Sequence, residues 1–246
     1  MSQLAIRAEE VTVEFRPFVE RKPTLRRTVA NFRSRQRELV RALDHVSFEV
    51  MKGEAFGIVG RNGAGKSTLL RVVAGTLRPD GGRAVSWGRT STLLQLGVGF
   101  NAELSGIRNI YLGGLAAGLR RARIDEIFDD IVAYAELEEA IDRPIKTYSS
   151  GMLARLAFSI GMHLEPDILL LDEIMSVGDE SFKAKSDRTM QDLLARSGTI
   201  VFVSHNLGKV SEFCDRAMWL ERGVVQGIGP AEEVVDGYLA AVAAGR

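Results

Sequence analysis

The chain has 246 residues, 46% of them apolar, enough to bury one large core or two small ones. Lysine plus arginine and aspartate plus glutamate stand at 32 each, so the formal charge of zero gives no whole-chain argument for nucleic acid or another polyanionic partner. Cys214 is the single cysteine, which excludes an intrachain disulfide, and no Cys/His cluster has metal-ligand spacing; a reducing cytosolic compartment is expected. The longest apolar run, IYLGGLAAGL at 110–119, is about half the length of a membrane span and ends at Arg120 and Arg121. The N-terminal MSQLAIRAEE has no signal-peptide pattern, so a soluble polypeptide is expected, which leaves docking on a membrane protein open.

In chain order, LAIRAEEVTVEF (4–15) has the β-branched alternation of a strand. Residues 16–41 carry nine Lys/Arg and two Glu, and from Pro23 the spacing of Leu25, Val29 and Phe32 predicts a helix with a narrow apolar stripe. Two readings of this basic insertion stand side by side. It is a solvated helix resting on the domain, or a basic amphipathic element that touches a membrane protein or anionic headgroups. ALDHVSFEV (42–50) reads as a strand, MKGE as a turn, and AFGIVG (55–60) as a short buried strand entering a glycine-rich loop. STLLRVVAG (67–75) is a helix stopped by Gly75 and then Pro79, and GGRAVSWGR (81–89) reads as a hairpin arm. A helical block at 105–165 follows, within which YSSGM (148–152) opens a helix. PDILLLDE (166–173) and GTIVFVSHN (198–206) are buried strands with a helix near 180–196 between them; AMWLERGVVQGIG (217–229) is a hairpin, and a short helix closes the chain. Buried apolar strands alternating with helices predict an α/β fold, a mostly parallel sheet covered on both faces, interrupted by an inserted helical subdomain.

GRNGAGKST (60–68) fits the G-x-x-x-x-G-K-[ST] phosphate loop at Gly60, Gly65, Lys66 and Ser67, with an apolar strand before it and a helix after. Backbone N–H groups of such a loop wrap phosphate oxygens, small residues let the chain come close, and the helix N-terminus adds a favourable field. The candidate nucleotide contacts are Gly60, Asn62, Gly63, Ala64, Gly65, Lys66, Ser67 and Thr68. Lys66 neutralises β- and γ-phosphate charge, and the Ser67 hydroxyl is a Mg²⁺ ligand. In ILLLDE (168–173) a strand delivers Asp172 beside the loop, where its carboxylate holds Mg²⁺ through water; Glu173, one residue on, polarises or orients the attacking water. Two adjacent acids elsewhere would read as a helix N-cap pair. In VSHN (203–206), His205 stands at the C-terminal end of a strand, the ligand edge of an α/β sheet, placed to contact the γ-phosphate and the catalytic acid. His45 and His163 have no such company and read as structural.

The order phosphate loop, helical insert, YSSGM, PDILLLDE, VGD, VSH resembles the ATP-binding subunit of ABC transporters over about residues 4–240. YSSGM departs from the LSGGQ-type signature common in that family. Together with LLQLGVGF (93–100), ELSGIRNIYL (103–112) and SVGDESFKAK (176–185), it is similar to the branch that exports lipid-linked polysaccharides such as O-antigen, teichoic acid and galactan. The resemblance implies a P-loop NTPase fold with a RecA-like, mostly parallel core, an antiparallel β subdomain and an α-helical subdomain, all in one nucleotide-binding domain over 1–246. It implies Gln95 as the Q-loop residue at Mg²⁺ and the γ-phosphate, and Val177-Gly178-Asp179 as the D-loop. It implies Phe15, with Phe18 as runner-up, as the aromatic stacked on adenine, where a strand-end core aromatic is the plain alternative. Arg108 stands where the branch commonly has an acid, near the groove for the membrane partner. No additional C-terminal carbohydrate-binding domain is expected.

The resemblance further implies a head-to-tail homodimer with ATP and Mg²⁺. ATP on the phosphate loop of one copy is covered by Ser149, Ser150 and Gly151 of the other, while Ser67, Gln95 and Asp172 hold the metal. An integral-membrane permease is the partner, a lipid-linked glycan the cargo, and the cytoplasmic face of the plasma (inner) membrane the location; nucleic acid is not expected. An importer or drug exporter, or a non-transport ATPase acting on nucleic acid or ribosomes, is the alternative. One cassette, no metal spacing and zero net charge argue against the latter.

Overall fold

A computed structural model describes residues 3–16, 39–92, 99–163, 166–172, 182, 185–186, 188–189 and 198–244. Two sheets organise these residues. In the first, β1 (Leu4–Phe15) pairs antiparallel with β2 (Val40–Met51) on one side and with β4 (Gly81–Ser86) on the other. The second has the order β5-β6-β7-β3-β8-β9, built from β3 (Ala55–Val59), β5 (Thr90–Thr92), β6 (Ile168–Asp172), β7 (Thr199–Val203), β8 (Arg216–Glu221) and β9 (Val224–Pro230). All neighbours in it run parallel except the β8–β9 hairpin.

The short apolar runs form central strands because both of their faces are covered. Along β3, β6 and β7 alternate residues feed two separate cores. Ile58, Leu170, Val201 and Val203 face the cluster shared with β1, β2 and helix α1 (Lys66–Val73). Val59, Leu169, Leu171, Ile200 and Phe202 face a cluster closed by helices α5 (Leu207–Phe213) and α6 (Ala231–Ala243). This is the period-two consequence of a strand buried on both sides. A third cluster lies in the helical block, where α2 (Gly106–Ala116), α3 (Arg121–Ala135) and α4 (Ser150–Met162) pack Ile110, Ile124, Ile131, Leu156 and Ile160 together. Helix α4 joins two of these cores, since its Phe158 belongs to the α5–α6 side.

Two expectations change. The segment 81–89 is no hairpin arm: β4 pairs with β1, from Ile6↔Ser86 to Thr12↔Gly81, and Thr90–Thr92 passes into the other sheet beside β6. Alternation marks a strand but carries no information about a partner some 70 residues away. The second strand also starts two residues earlier than expected, because Val40 and Arg41 extend β2 to meet Phe15 and Glu14. Most of the basic insertion, residues 17–38 with Leu25, Val29 and Phe32, lies outside the described residues, as does most of the helix expected near 180–196. Of the latter, Phe182, Lys185, Ser186, Arg188 and Thr189 are helical.

Candidate nucleotide site

The phosphate loop leaves β3 at Gly60 and enters α1 at Lys66. Gly60 (φ 151°) and Gly65 (φ 105°) are glycine for two reasons at once. Both adopt backbone angles that other residues avoid, and both sit where a Cβ would collide: 2.1 Å from the Leu220 carbonyl oxygen at Gly60, 2.4 Å from that of Ala42 at Gly65. The loop is thus pressed against β8 and β2. Its opposite side, Asn62 and Gly63, is exposed. Ala64 is buried, and its carbonyl accepts from Gly223 N–H at 2.8 Å, while the Gly223 carbonyl accepts from Asp44 N–H at 2.9 Å. The β8–β9 turn therefore ties the loop to the antiparallel sheet.

Helix α1 has Gly65 at its N-cap and no side-chain cap. Its first-turn N–H groups are left without intrahelical partners, the arrangement that favours an anion. The Lys66 side chain is buried and its Nζ donates to the carbonyls of Gly60 (2.6 Å) and Arg61 (3.0 Å), which places the ammonium over the loop. Thr68 follows on the same turn, half-buried. Ser67 is exposed and its Oγ donates to Asp172 Oδ2 at 2.7 Å. That bond joins the start of α1 to the end of β6, across 105 residues of chain. The β6–β7 register sets Asp172 opposite Val203, so His205 follows two residues past that pair, exposed, just before Asn206 caps α5. Loop, carboxylate and imidazole thus gather at the C-terminal ends of β3, β6 and β7, the ligand edge of a parallel sheet.

Phe15 is 44% exposed, so it is not the core aromatic of the plain alternative. It pairs with Val40 at the end of β1 and β2, near the Val13↔Leu43 step, whose Leu43 side chain lies against Gly65. Glu173, Gln95, Val177, Gly178 and Asp179 lie outside the described residues, as does Phe18.

YSSGM divides its labour. Tyr148 is buried, and its hydroxyl donates to the Ala140 carbonyl at 2.7 Å. Ser149 is the N-cap of α4, its Oγ accepting from Met152 N–H at 3.2 Å. Ser150, exposed, and Gly151, partly exposed, form the first turn beyond the cap. Arg108 is exposed on the first turn of α2, where Ser105 caps its N–H. The two histidines without company sit apart from this edge: His45 pairs with Glu10 on the β1–β2 surface, and His163 ends α4 with Nδ1 at 2.8 Å from the Ser159 carbonyl.

Sequence reading did not find the Tyr148 anchor or the Ala64–Gly223–Asp44 tie. The tie joins three main-chain segments, and the only local trace of it is the Arg222-Gly223 turn, whose positive φ values (47° and 80°) suit a two-residue hairpin.

A phosphate loop bonded to a strand-end aspartate, beside a helical block opening on a capped serine pair, defines an ATP-binding cassette. Residues 43–176 match the ABC transporter family model, and the chain belongs to that family. It is 47% identical over 202 residues to the O-antigen export system ATP-binding protein RfbB of Klebsiella pneumoniae, a match that covers 82% of each chain. It is 44% identical over 207 residues to the teichoic acids export ATP-binding protein TagH of Bacillus anthracis, covering 84% of this chain and 38% of that one. Its fold matches a dimeric ATP-binding cassette in a post-hydrolysis state with ADP and Pi, at TM-score 0.68 and 19% identity, over 92% of this chain and 98% of that one. The chain is an ATP-binding ABC ATPase. Among the described residues no helix is long and apolar enough to cross a membrane.

Proposed function

We propose that the chain is the ATP-hydrolysing subunit of an exporter that moves a lipid-linked polysaccharide of O-antigen, teichoic acid or galactan type across the cytoplasmic membrane. It acts as one nucleotide-binding domain, on the cytoplasmic face, with an integral-membrane permease docked along residues 95–120. Support for the cargo class is the likeness to RfbB and TagH. The observation that carries the catalytic reading is the Ser67–Asp172 bond, which brings the two halves of a phosphate-and-metal site together.

In this reading two copies associate head to tail. ATP lies on residues 60–68 of one copy, with adenine against Phe15, and is covered by Ser150 and Gly151 of the second copy, which Ser149 presents by capping α4. Water attacks the γ-phosphorus, the bond to the β-phosphate bridging oxygen breaks, and ADP and phosphate leave. Glu173 orients the water and receives its proton, His205 holds Glu173 and the γ-phosphate in line, and Asp179 links the two sites. Lys66 turns from the loop carbonyls to the β- and γ-phosphates, where anionic oxygens replace two neutral acceptors of its ammonium. The oxygen donors of Ser67 and Asp172, with the Gln95 side chain, suit Mg²⁺, which supplies charge neutralisation on the phosphates when bound. Dimer closure and opening then drive the permease.

The test is co-expression with a candidate membrane permease, reconstitution in vesicles, and ATPase assay with and without lipid-linked glycan. Stimulated turnover and vectorial movement of the glycan are expected. Turnover indifferent to the glycan, with no accumulation of undelivered lipid-linked glycan in a deletion strain, would remove the cargo assignment and leave an ATPase of another transport role.

A further inference from the structure

The segment that approaches the signature peptide is paired with the segment that opens the helical block. Ile145 N–H donates to Leu104 O (3.0 Å), Lys146 N–H to Ala102 O (3.0 Å), Gly106 N–H to Arg143 O (3.2 Å) and Ile107 N–H to Ile141 O (3.1 Å). Ser105 and Pro144 form an antiparallel bridge within this ladder. At its end Tyr148 folds back on the start of α2, so closely that a Cβ on the buried Gly106 would lie 2.5 Å from the Tyr148 hydroxyl and 3.0 Å from the Ile141 carbonyl. Asn109, fully buried, closes the other side: its amide donates to the carbonyls of Leu104 (3.0 Å) and Ser105 (2.9 Å), and its oxygen accepts from Asn101 N–H (2.7 Å).

We propose that this ladder sets the stance of the signature peptide, so that residues 102–106 and Tyr148 are positioning residues for the phosphate contact of Ser150 and Gly151. The inference rests on the cross-copy reading of that contact given above. Backbone pairing and a buried amide make the start of α2, residues 102–106 and residues 141–146 one rigid piece, and Tyr148 and Ser149 extend that piece into the first turn of α4. The exposed Glu103–Lys146 ion pair (2.5 Å) adds little to it. The ladder begins seven residues after Gln95, on the side of the molecule assigned to the permease. A displacement of α2 by the permease is therefore delivered to Ser150 and Gly151 through main chain, with no flexible side chain between.

The experiment compares Gly106→Ala, Tyr148→Phe, the double variant and Ser150→Ala. It measures steady-state ATP turnover and the affinity of the purified chain for a fluorescent ATP analogue. Gly106→Ala forces Tyr148 aside and is expected to lower turnover about tenfold, with analogue affinity unchanged. Tyr148→Phe loses one buried hydrogen bond and is expected to lower turnover roughly threefold. The double variant removes the nearest atom that the new Cβ meets, leaving Ile141 Cδ1 at 2.7 Å and the Ile141 carbonyl oxygen at 3.0 Å, and should recover part of the turnover lost in Gly106→Ala, a rescue that general destabilisation would not give. Suppose Ser150→Ala slows turnover while Gly106→Ala does not, or the double variant is no faster than Gly106→Ala. Either result overturns the ladder proposal and leaves the cross-copy reading standing. Unchanged turnover in Ser150→Ala overturns both. Where Gly106→Ala does not fold, Tyr148→Phe decides, and unchanged turnover in it overturns the proposal.

Discussion

Two helix N-termini in this protein, both assigned to phosphate in the proposed function, are built in opposite ways. At α1 the cap is a glycine in a left-handed conformation, no side chain bonds to the first turn, and the loop is held by main-chain contact with β2 and β8. At α4 a serine caps the first turn, a buried tyrosine anchors the residue before it, and a backbone ladder supports the approach. The first leaves its donors open and its position over-determined. The second satisfies one donor locally and takes its position from the backbone ladder together with the Tyr148 anchor. In the proposed head-to-tail reading, the loop that wraps phosphate needs its helix-start N–H groups open, and the peptide that reaches the phosphate from a second copy needs only the exposed edge of its first turn.

The largest way to break this comparison is to leave both termini intact and remove the group neither supplies. Glu173→Gln is expected to lower ATP turnover by about a thousandfold while ATP still binds and holds a dimer, measured by phosphate release and by size-exclusion chromatography with ATP. Next in size, Lys66→Ala strips the phosphate loop of its lysine ammonium and should weaken ATP binding by roughly a hundredfold in calorimetry, the upper end of a charge-assisted bond. Gly65→Ala tests the main-chain side. The strain of a left-handed backbone and the contact with Ala42 should cost about 2–3 kcal/mol in denaturant unfolding. Ser149→Ala tests the side-chain side and should cost about 1 kcal/mol, with ATP affinity of the single copy unchanged. A reversal of those last two values would overturn the contrast.

The smallest effect is alkaline. Burial pushes the Cys214 thiol, packed under β3, from its usual 9.0 up to about 12, so the folded state keeps a proton that the unfolded state loses. That stabilisation is whole below pH 9 and is lost progressively between pH 9 and about 12. Burial also raises Tyr148 above its usual 10.0, with the same sign and a later onset. Unfolding curves taken at rising pH should show stability declining from pH 9, before the tyrosines contribute, and replacement of Cys214 by Ala should remove that first decline.

The parts legible in the sequence are those written in short runs. GRNGAGKST between an apolar strand and a helix, the strand ILLLD, and a helix start within YSSGM each fell where their spacing put them, because each is a local geometry with one dominant constraint. The partner of β4 was not legible, since a half-exposed alternating strand fits any edge of suitable length; the structure gives it to β1. Nor did YSSGM reveal which serine caps. Both have the right chemistry, and only the anchoring of Tyr148 on Ala140 fixes the register that makes it Ser149. The Ser67–Asp172 bond was foreseeable in kind, from a phosphate loop and a strand ending in Asp, but the β6–β7–β3 order that brings them together belongs to the sheet as a whole.

The tie from Ala64 through Gly223 to Asp44 has a consequence for how this chain tolerates change. All three residues take part with main-chain atoms alone, so new side chains at 44 and 64 leave the tie itself untouched. Gly223 has no such latitude, for a Cβ there would lie 2.7 Å from the Ala42 carbonyl oxygen. A buried turn glycine that takes no part in the chemistry is thereby as little free to vary as Gly60 and Gly65 of the loop it supports.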